Sequence, residues 1–185
     1  MRNLIVSTLV SLDGVIEDPA GMAGFEHGGW AGRYFGAEAA QKSLERLLAS
    51  DYFLCGRRTY EMFSQAWPKA SGPYADRLNA MPKLVASNTL TEPLDWNATL
   101  VWGDAVDELT KIKETDGGDI VMYGSCNLMR SLLTGGVVDQ LDLMVCPVVV
   151  GTGQRLFGDD HLEFEPVGHT RIGDITLLSF RPGSR

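Results

Sequence analysis

The order of apolar and polar positions along the chain predicts strands and helices in alternation, followed by strands alone. Apolar runs predict strands at residues 4–10, 52–55, 83–87, 99–102, 120–123, 141–150, 162–169 and 175–180. Apolar residues at helical spacing predict helices at 37–50, at 60–66, after Asp104, and at 127–133. This order is typical of a single α/β domain, here residues 1–185, with a mostly parallel central sheet, helices on both faces and an antiparallel C-terminal strand.

Residues 119–133, with the sequence DIVMYGSCNLMRSLL, are predicted to form a strand, a tight turn and a helix. The first N–H groups of a helix have no intrahelical partner, and the helix dipole favours an anion beside them. Gly124 lets a ligand approach the backbone, and the Ser125 hydroxyl can cap the helix or touch a phosphate. The alternative is an ordinary strand-to-helix turn with a serine cap.

Two more predicted strands end in small or basic polar residues, namely Gly56, Arg57, Arg58 and Thr59 after one strand and Ser87 and Asn88 at the end of the next. The arginines suit phosphate recognition, although a solvated basic pair is the alternative. Open α/β sheets bind ligands at the carboxyl ends of their strands. The three turns together therefore favour a dinucleotide phosphate site.

A glycine-rich loop is predicted at residues 17–32, between the first strand and the first helix. A loop of this length in one domain is often a lid or a binding loop. Phe25 and Trp30 can either fold onto a ligand or anchor the loop on the core. Glu17, Asp18 and Glu26 would repel a phosphate, so the loop is not predicted to bind one.

Composition narrows the possible partners and the compartment. The formal net charge of -8 gives no overall attraction for nucleic acid or for an anionic membrane surface. The three cysteines and three histidines show neither disulfide nor metal-ligand spacing, so no metal site is predicted. No apolar run is long enough for a membrane helix, and the N-terminal run lacks the features of a signal peptide. We expect a cytoplasmic protein.

Several common catalytic motifs are absent from the sequence. There is no G-x-x-x-x-G-K-[ST] phosphate loop, and no G-x-S-x-G nucleophile turn. Gly151 and Gly153 follow a predicted strand, but Gly158 is misplaced for the G-x-G-x-x-G fingerprint. These absences argue against P-loop NTPases, serine hydrolases and standard Rossmann enzymes.

Five segments in order resemble the dihydrofolate reductase superfamily, and within it the branch of RibD C-terminal reductase-like domains. They are SLDGVIED, DYFLCGRRTYEMF, KLVASNTL, DIVMYGSCNLMRSLL and VDQLDLMVCPVVVGTGQRLF, and the resemblance covers nearly the whole chain. It implies a dihydrofolate-reductase-like fold, NADPH as cofactor and a homodimer.

The resemblance also implies roles for residues of this chain. Gly56, Arg57, Arg58 and Thr59 would hold cofactor phosphates, and Ser87 and Asn88 would lie near the adenosine 2′-phosphate. The residues that would cradle the pyrophosphate are Gly124, Ser125, Asn127 and Leu128. Val15 and Ile16 would border the nicotinamide. A preference for NADPH over NADH is therefore expected.

The substrate side follows the superfamily less closely. Dihydrofolate reductases carry a carboxylate on the helix after the first loop, and no clear counterpart exists here. Riboflavin-pathway reductases usually have Glu-Gly-Gly where this chain has Tyr123, Gly124 and Ser125. We expect hydride transfer to a small heterocycle, pteridine- or pyrimidine-like, or to a related unsaturated compound.

Asp13 and Tyr123 are the candidate proton donors. Their alternatives are structural: Asp13 as a turn residue before Gly14, and Tyr123 as a core residue with a satisfied hydroxyl. A protein that binds NADP(H) for regulation, without turnover, is the rival function.

The apolar segment 141–150 contains Pro147, which cannot donate to a strand ladder and so favours a sheet edge or a bulge. An exposed apolar edge strand promotes aggregation unless something covers it. The segment is therefore predicted to lie at an edge that a homodimer covers.

Overall fold

Eight strands form one twisted sheet in the computed structural model, which describes residues 1–183. The strands are β1 (Leu4–Ser11), β2 (Ser50–Gly56), β3 (Lys83–Ala86), β4 (Ala98–Val101), β5 (Asp119–Tyr123), β6 (Gln140–Cys146), β7 (Phe164–Ile172) and β8 (Ile175–Pro182). The helices are α1 (Ala37–Leu48), α2 (Arg57–Ala66), α3 (Pro73–Ala80), α4 (Ala105–Lys113) and α5 (Cys126–Thr134), with a short 3-10 helix at Trp67–Lys69.

The strand order across the sheet is β4-β3-β2-β5-β1-β6-β8-β7. All pairs from β4 to β6 are parallel, and β8 runs antiparallel to both β6 and β7. The predicted α/β class, the mostly parallel sheet and the antiparallel C-terminal strand are confirmed. Parallel neighbours bring the ends of β3, β2, β5 and β1 to one edge, which we call the carboxyl edge.

Helices cover both faces because each presents an apolar stripe to the sheet. Leu109 of α4 and Met129 of α5 pack into the core on one face. Leu47 of α1, Tyr60 of α2 and Leu78 of α3 pack against the other. No helix in residues 1–183 is long and apolar enough to cross a membrane.

The position predicted for Pro147 at a sheet edge is wrong. Strand β6 ends at Cys146 and lies between β1 and β8, so Pro147 follows the strand and the edges of the sheet are β4 and β7. Beyond Cys146, the Val148 carbonyl accepts from Leu12 N–H at 2.8 Å, and the chain turns away from β8. The apolar run continues past the point where strand pairing stops, which a pattern of side chains cannot reveal.

Two helices also differ from expectation. Helix α2 begins at Arg57, directly after β2, and not at residue 60. Helix α3 was not predicted, because it has only eight residues and buries only Ala75 and Leu78. The early start of α2 matters most for function, because it brings a helix N-terminus to the carboxyl edge.

Candidate functional site

Helices α2 and α5 begin side by side at the carboxyl edge. Helix α2 follows β2 directly, and α5 follows β5 after the two-residue turn of Gly124 and Ser125; strands β2 and β5 are neighbours in the sheet. The Ser125 hydroxyl joins the two helix starts, since it accepts from Gly56 N–H at 2.9 Å and donates to Thr59 Oγ1 at 2.8 Å. Both predicted phosphate turns therefore belong to one site.

Neither helix start is neutralised by a side chain. The N-cap residues Gly56 and Ser125 make no side-chain cap hydrogen bond. Helix α4, in contrast, is capped by Asp104, whose carboxylate accepts from Val106 and Asp107 N–H. Two uncapped helix N-termini in one place offer converging N–H donors and the positive ends of two dipoles, which is a binding site for an anion.

The turn before α5 requires a glycine. Gly124 has φ +64°, in the left-handed region, and Ser125 follows with φ +59°. A Cβ built on Gly124 would meet only Thr59 Oγ1, at 4.0 Å, so the space in front of this turn is open. A ligand can therefore approach the Gly124 backbone closely.

The two arginines of α2 differ in their surroundings. Arg57 pairs with Glu61 one turn later, at 3.2 Å. Arg58 is exposed, and no acidic side chain of residues 1–183 lies within 4.0 Å of its guanidinium. Arg58 is therefore the arginine available to a phosphate.

Ser87 and Asn88 lie beside this site, after β3. The Ser87 hydroxyl accepts from Thr89 and Leu90 N–H, both at 3.1 Å. Asn88 Oδ1 accepts from Gly103 N–H at 2.9 Å, which leaves its amide N–H groups for other partners. Ser87 thus stabilises the turn, and Asn88 is the better candidate for a ligand contact.

Val15 and Ile16 lie past the end of β1, on the other side of β5. Their side chains are buried, at 0% and 8% exposure, and their backbones pair with residues 154–155. Asn127, in the first turn of α5, is exposed and accepts from Gln154 Nε2 at 3.0 Å, whereas Leu128 packs partly on the core. The residues that the resemblance assigns to the adenosine, the phosphates and the nicotinamide therefore follow one another along the carboxyl edge, in the strand order β3, β2, β5, β1.

The geometry argues against Asp13 as a proton donor. Its carboxylate accepts from the Ser11 hydroxyl at 2.7 Å and from Val150 and Gly151 N–H at 3.0 and 2.8 Å. These hydrogen bonds, that of Ser11 first, lower the pKa of Asp13 to about 2. Asp13 is therefore an anion at neutral pH that ties the segment after β6 to the end of β1.

Tyr123 keeps its proton at all ordinary pH values. Burial raises the pKa of Tyr123 far above its usual range, and its hydroxyl donates to the Ser43 carbonyl of α1 at 3.2 Å. Both interpretations of Tyr123, as a catalytic residue and as a core residue with a satisfied hydroxyl, are compatible with this geometry. The hydroxyl is satisfied within the protein, and Tyr123, which directly precedes Gly124 in the chain, lines a cavity.

That cavity, of about 270 Å³, lies between α1, β7 and the sheet. Its floor is a row of residues in register across five adjacent strands, which are Tyr123, Ser7, Asp142, Ser179 and Gly168. Sequence analysis missed this row, because the register that aligns five strands is not encoded in any one of them. The only local signal was the polar Ser7 within an apolar strand.

The floor holds one fully engaged carboxylate and one free hydroxyl. Asp142, 5% exposed, accepts from Ser179 Oγ at 2.6 Å, Gln140 Nε2 at 2.8 Å and Arg46 Nη2 at 3.3 Å. Ser7 is 8% exposed, and its hydroxyl has no hydrogen-bond partner among residues 1–183. Since Ser7 lines the cavity and its hydroxyl is unpartnered, it is a polar contact point for a bound molecule.

Helix α1 presents no carboxylate to the cavity. Its buried residues are Ala39, Ser43 and Leu47, while Glu38 accepts from Gly173 N–H at the distant β7–β8 turn. Glu45 is exposed and pairs with Lys42. The carboxylate that the sequence lacked is therefore also absent from the inner face of α1 in the structure. No group of His, Cys, Asp and Glu in the described residues could hold a metal ion.

Loop 17–32 is held by its own acidic residues. The Asp18 carboxylate accepts from Met22, Ala23 and Phe25 N–H, and Glu17 accepts from Gln154 N–H at 2.7 Å. Trp30 donates to the Glu17 carbonyl and packs on the core beneath α1. The large side chain of Trp30 thus anchors the loop, which was the second of the two alternatives.

Comparisons with known proteins agree with this fold. The chain is 29% identical over 163 residues to YyaP of Bacillus subtilis (strain 168), covering 85% of this chain and 81% of YyaP. A Shewanella sp. PV-4 protein with a proposed role in riboflavin biosynthesis superposes with a TM-score of 0.75 at 22% identity, covering 99% and 100% of the two chains. The Thermotoga maritima diaminohydroxyphosphoribosylaminopyrimidine deaminase/5-amino-6-(5-phosphoribosylamino)uracil reductase superposes with a TM-score of 0.67 at 13% identity. This chain covers 57% of that protein's length, and 98% of this chain is matched.

The family model of the RibD C-terminal domain matches residues 2–178, nearly the whole chain. It covers the carboxyl edge, every cavity residue except Ser179 and every segment that carried the sequence resemblance. That resemblance is confirmed: the chain belongs to the RibD C-terminal domain family.

Proposed function

We propose that the protein is an NADPH-dependent reductase of a small heterocyclic substrate, pyrimidine- or pteridine-like. The observation that carries the proposal is the pair of uncapped helix N-termini joined through Ser125 at the carboxyl edge. Membership of the RibD C-terminal domain family supports a reductase. The reductase activity in the name of the Thermotoga maritima protein supports a pyrimidine-like substrate.

The residues at the edge fit a dinucleotide phosphate. The N–H groups that open α2 and α5 would hold the pyrophosphate, with Gly124 giving access to the backbone. Arg58 and Asn88 would bind the 2′-phosphate. When bound, NADPH would supply the hydride.

We propose that the cavity beneath α1 receives the substrate ring. Tyr123 lines this cavity and is bonded directly to Gly124, so the cavity adjoins the phosphate turn. Ser7 offers a free hydroxyl, and Asp142 with its three donors keeps the floor polar. Polar groups fixed on a rigid sheet orient a small ring and discriminate among its substituents.

Tyr123 is the candidate that the geometry leaves, and its role would be to donate a hydrogen bond. Burial raises the pKa of its hydroxyl, so Tyr123 would keep its proton and stabilise the negative charge that the hydride acceptor gains, while the proton itself would come from solvent. Tyr123 would have to exchange its bond to the Ser43 carbonyl for one to the substrate, which a rotation about the C–O bond permits.

The test is a panel of pyrimidine, pteridine and carbonyl compounds with the purified protein, in which NADPH absorbance reports consumption. We expect turnover with at least one pyrimidine-like compound. Ser7→Ala should raise KM for that compound by about three- to tenfold, because one hydrogen bond to the substrate is lost. The affinity for NADPH should not change. An unchanged KM in Ser7→Ala would contradict the proposal that the substrate binds in this cavity.

A regulatory protein that binds NADP(H) without turnover is the second candidate. The absence of a carboxylate on the inner face of α1 favours it, since that group faces the pterin in dihydrofolate reductases. NADPH binding without consumption across the whole panel would support this candidate and contradict the reductase.

We also propose that the protein is a homodimer, as the resemblance implied. The edge-strand reason no longer applies, but the segment after β6 remains apolar and exposed. Val149 is 67% exposed, and Leu12, whose N–H bonds to Val148, is 62% exposed. A partner that covers these neighbouring side chains would remove them from water.

A further inference from the structure

Two basic side chains line the cavity beneath α1, and carboxylates of the chain already pair with both of them. Arg46 lies between two carboxylates, with Nη2 3.3 Å from Asp142 Oδ2 and Nη1 3.8 Å from Asp119 Oδ2. Lys42 Nζ, one turn earlier on α1, lies 3.2 Å from Glu45 Oε2. No other lysine or arginine of residues 1–183 lines this cavity. Both cations are therefore engaged before any substrate arrives.

The charges around the cavity leave an excess of negative charge. Three carboxylates, those of Asp142, Asp119 and Glu45, stand against the two cations. Asp142 has the least exposed side chain of the five groups, so solvent screens its charge least. A phosphate ester carries about one and a half to two negative charges at neutral pH. The cavity would therefore repel a phosphate ester.

The imidazole of His169 does not change this balance. In the pairing of β7 with β8, Gly168 lies opposite Ser179 and Thr170 lies opposite Leu177, and all four residues line the cavity. Successive side chains of a strand point to opposite faces of the sheet. His169, between Gly168 and Thr170, therefore directs its imidazole to the other face of β7.

The hydrogen bonds on the cavity floor leave acceptors for a ligand. The Ser179 hydroxyl donates to Asp142 Oδ1 at 2.6 Å, so its oxygen can only accept from a further partner. Gln140 donates to the same carboxylate oxygen through Nε2 at 2.8 Å, and its Oε1 accepts from no group in residues 1–183. These oxygens suit the amino and ring N–H groups of a heterocycle.

We propose that the substrate is an uncharged ring compound that bears amino or ring N–H groups and carries no phosphate. The inference deepens the proposed function and rests on it, because it assumes that the cavity receives the substrate. The name of the Thermotoga maritima reductase, in contrast, contains a phosphoribosyl derivative. Arg46 and Lys42 stabilise the cavity wall through their carboxylate partners and do not bind a phosphate of the substrate.

The test is a calorimetric titration of 5-amino-6-ribosylaminouracil and of its 5′-phosphate, two ligands that differ only in the phosphate. Saturating NADP⁺ is present, which fills the cofactor site and prevents reduction. The wild type should bind the unphosphorylated compound at least about tenfold more tightly, because like charges repel strongly beside a buried carboxylate. Asp142→Asn removes that carboxylate charge and should reduce the preference by about threefold or more.

Glu45→Gln is a second variant that leaves the buried floor intact, since Glu45 lies on the exposed face of α1. It releases Lys42 and should reduce the preference by about two- to threefold, the modest effect of an exposed charge pair. Glu108→Gln is the matched control. Glu108 pairs with Lys111 at the same three-residue spacing, but on α4 and so on the opposite face of the sheet. It should keep the preference of the wild type.

Equal or tighter binding of the phosphate ester by the wild type would overturn the inference and leave the reductase proposal standing. A preference that stays unchanged in both Asp142→Asn and Glu45→Gln would also overturn it, because the charges of the cavity would then not cause the preference. Binding of neither compound by a protein that binds NADP⁺ would contradict the cavity as the substrate site, and the inference with it.

Discussion

Arg57 and Arg58 are consecutive residues with different surroundings in this structure. The sequence identified the pair but could not rank them, because the ranking depends on Glu61 one turn away, which engages Arg57. Arg58 has no such partner among residues 1–183. Guanidinium contacts to phosphate are charge-assisted. In the proposed function, Arg58 contacts the 2′-phosphate, which NADPH has and NADH lacks.

Arg58→Gln should therefore weaken NADPH by roughly 1.5–3 kcal/mol, and leave NADH affinity nearly unchanged. Arg57→Gln, whose guanidinium already has a carboxylate, is the matched control and should have a smaller effect. Titration of both cofactors into both variants measures this. Equal losses for NADPH and NADH in Arg58→Gln would show that Arg58 does not contact the 2′-phosphate.

Asp13 shows how a candidate catalytic residue can be a structural one. The depressed pKa of Asp13, about 2 against an ordinary 3.8, means that the folded state favours the anion. The stability that it confers is present above pH 3.8 and is lost as the pH falls through about 2. Three groups donate to the Asp13 carboxylate. One is the nearby Ser11 hydroxyl, and the other two are N–H groups of residues 150–151, which lie far from Asp13 in sequence.

Asp13→Asn should lower the thermal midpoint at neutral pH, and its difference from wild type should shrink as the pH falls from about 4 to about 2. Thermal unfolding over this range measures it. With Asp13 in a structural role, the pH dependence of turnover should keep its shape in the variant. A titration of activity that disappears in Asp13→Asn would restore Asp13 as the donor.

Strand β3 begins with a buried lysine. Lys83 is fully buried, donates to the Asn79 carbonyl at 2.8 Å and lies 4.2 Å from the centre of the Trp96 ring. Burial lowers the pKa of Lys83 to about 8, against an ordinary 10.5. Between these two values the unfolded chain binds a proton that the folded chain does not, so the free energy of unfolding rises with pH.

The contribution of Lys83 should grow by up to roughly 3 kcal/mol between pH 8 and pH 10.5. Lys83→Met fills the site without a charge and should lack this rise. Denaturant unfolding of both proteins across that range gives the difference between their free energies of unfolding at each pH. Groups that titrate equally in the two proteins do not contribute to this difference. A constant difference would show that Lys83 keeps an ordinary pKa in the folded protein.

At the level of elements, the sequence predicted most of what positions the site. The apolar run 120–123, the small turn and the helical spacing after it specified β5 and α5 locally, and the structure has them. The length of β6 could not be predicted, because Val148 and Val150 are as apolar as the strand. The Val148 carbonyl accepts from Leu12 N–H and the Val150 N–H donates to the Asp13 carboxylate, so neither residue pairs with β8. The polar row at Ser7 could not be predicted either, because it exists only once five strands are in register.

The whole molecule is predicted to associate through the exposed segment after β6. Light scattering at micromolar concentration should give twice the chain mass of 20.2 kDa. Val149→Lys places a charge in that surface and should shift the protein towards monomer, whereas Val167→Lys, at 53% exposure on β7, should not. A monomeric wild type would contradict the dimer, and dissociation by Val167→Lys alone would move the interface to β7.

The whole account depends on the phosphate site at the joined starts of α2 and α5. Gly124 and Gly173 have similar left-handed φ values, +64° and +58°, and a Cβ meets nothing closer than 4.0 Å at either position. Alanine at either residue should therefore cost a similar roughly 1–2 kcal/mol of stability. Only Gly124 lies at the carboxyl edge, so Gly173→Ala, at the β7–β8 turn, is a matched control.

The most direct measurement is a calorimetric titration of NADPH into wild type, Gly124→Ala and Gly173→Ala. The account predicts that Gly124→Ala loses at least about tenfold in affinity, because its methyl group stands where the phosphate must approach the backbone. It also predicts that Gly173→Ala binds like the wild type. If Gly124→Ala binds NADPH as tightly as the wild type, the phosphate site is not at these helix starts and the central claim is wrong.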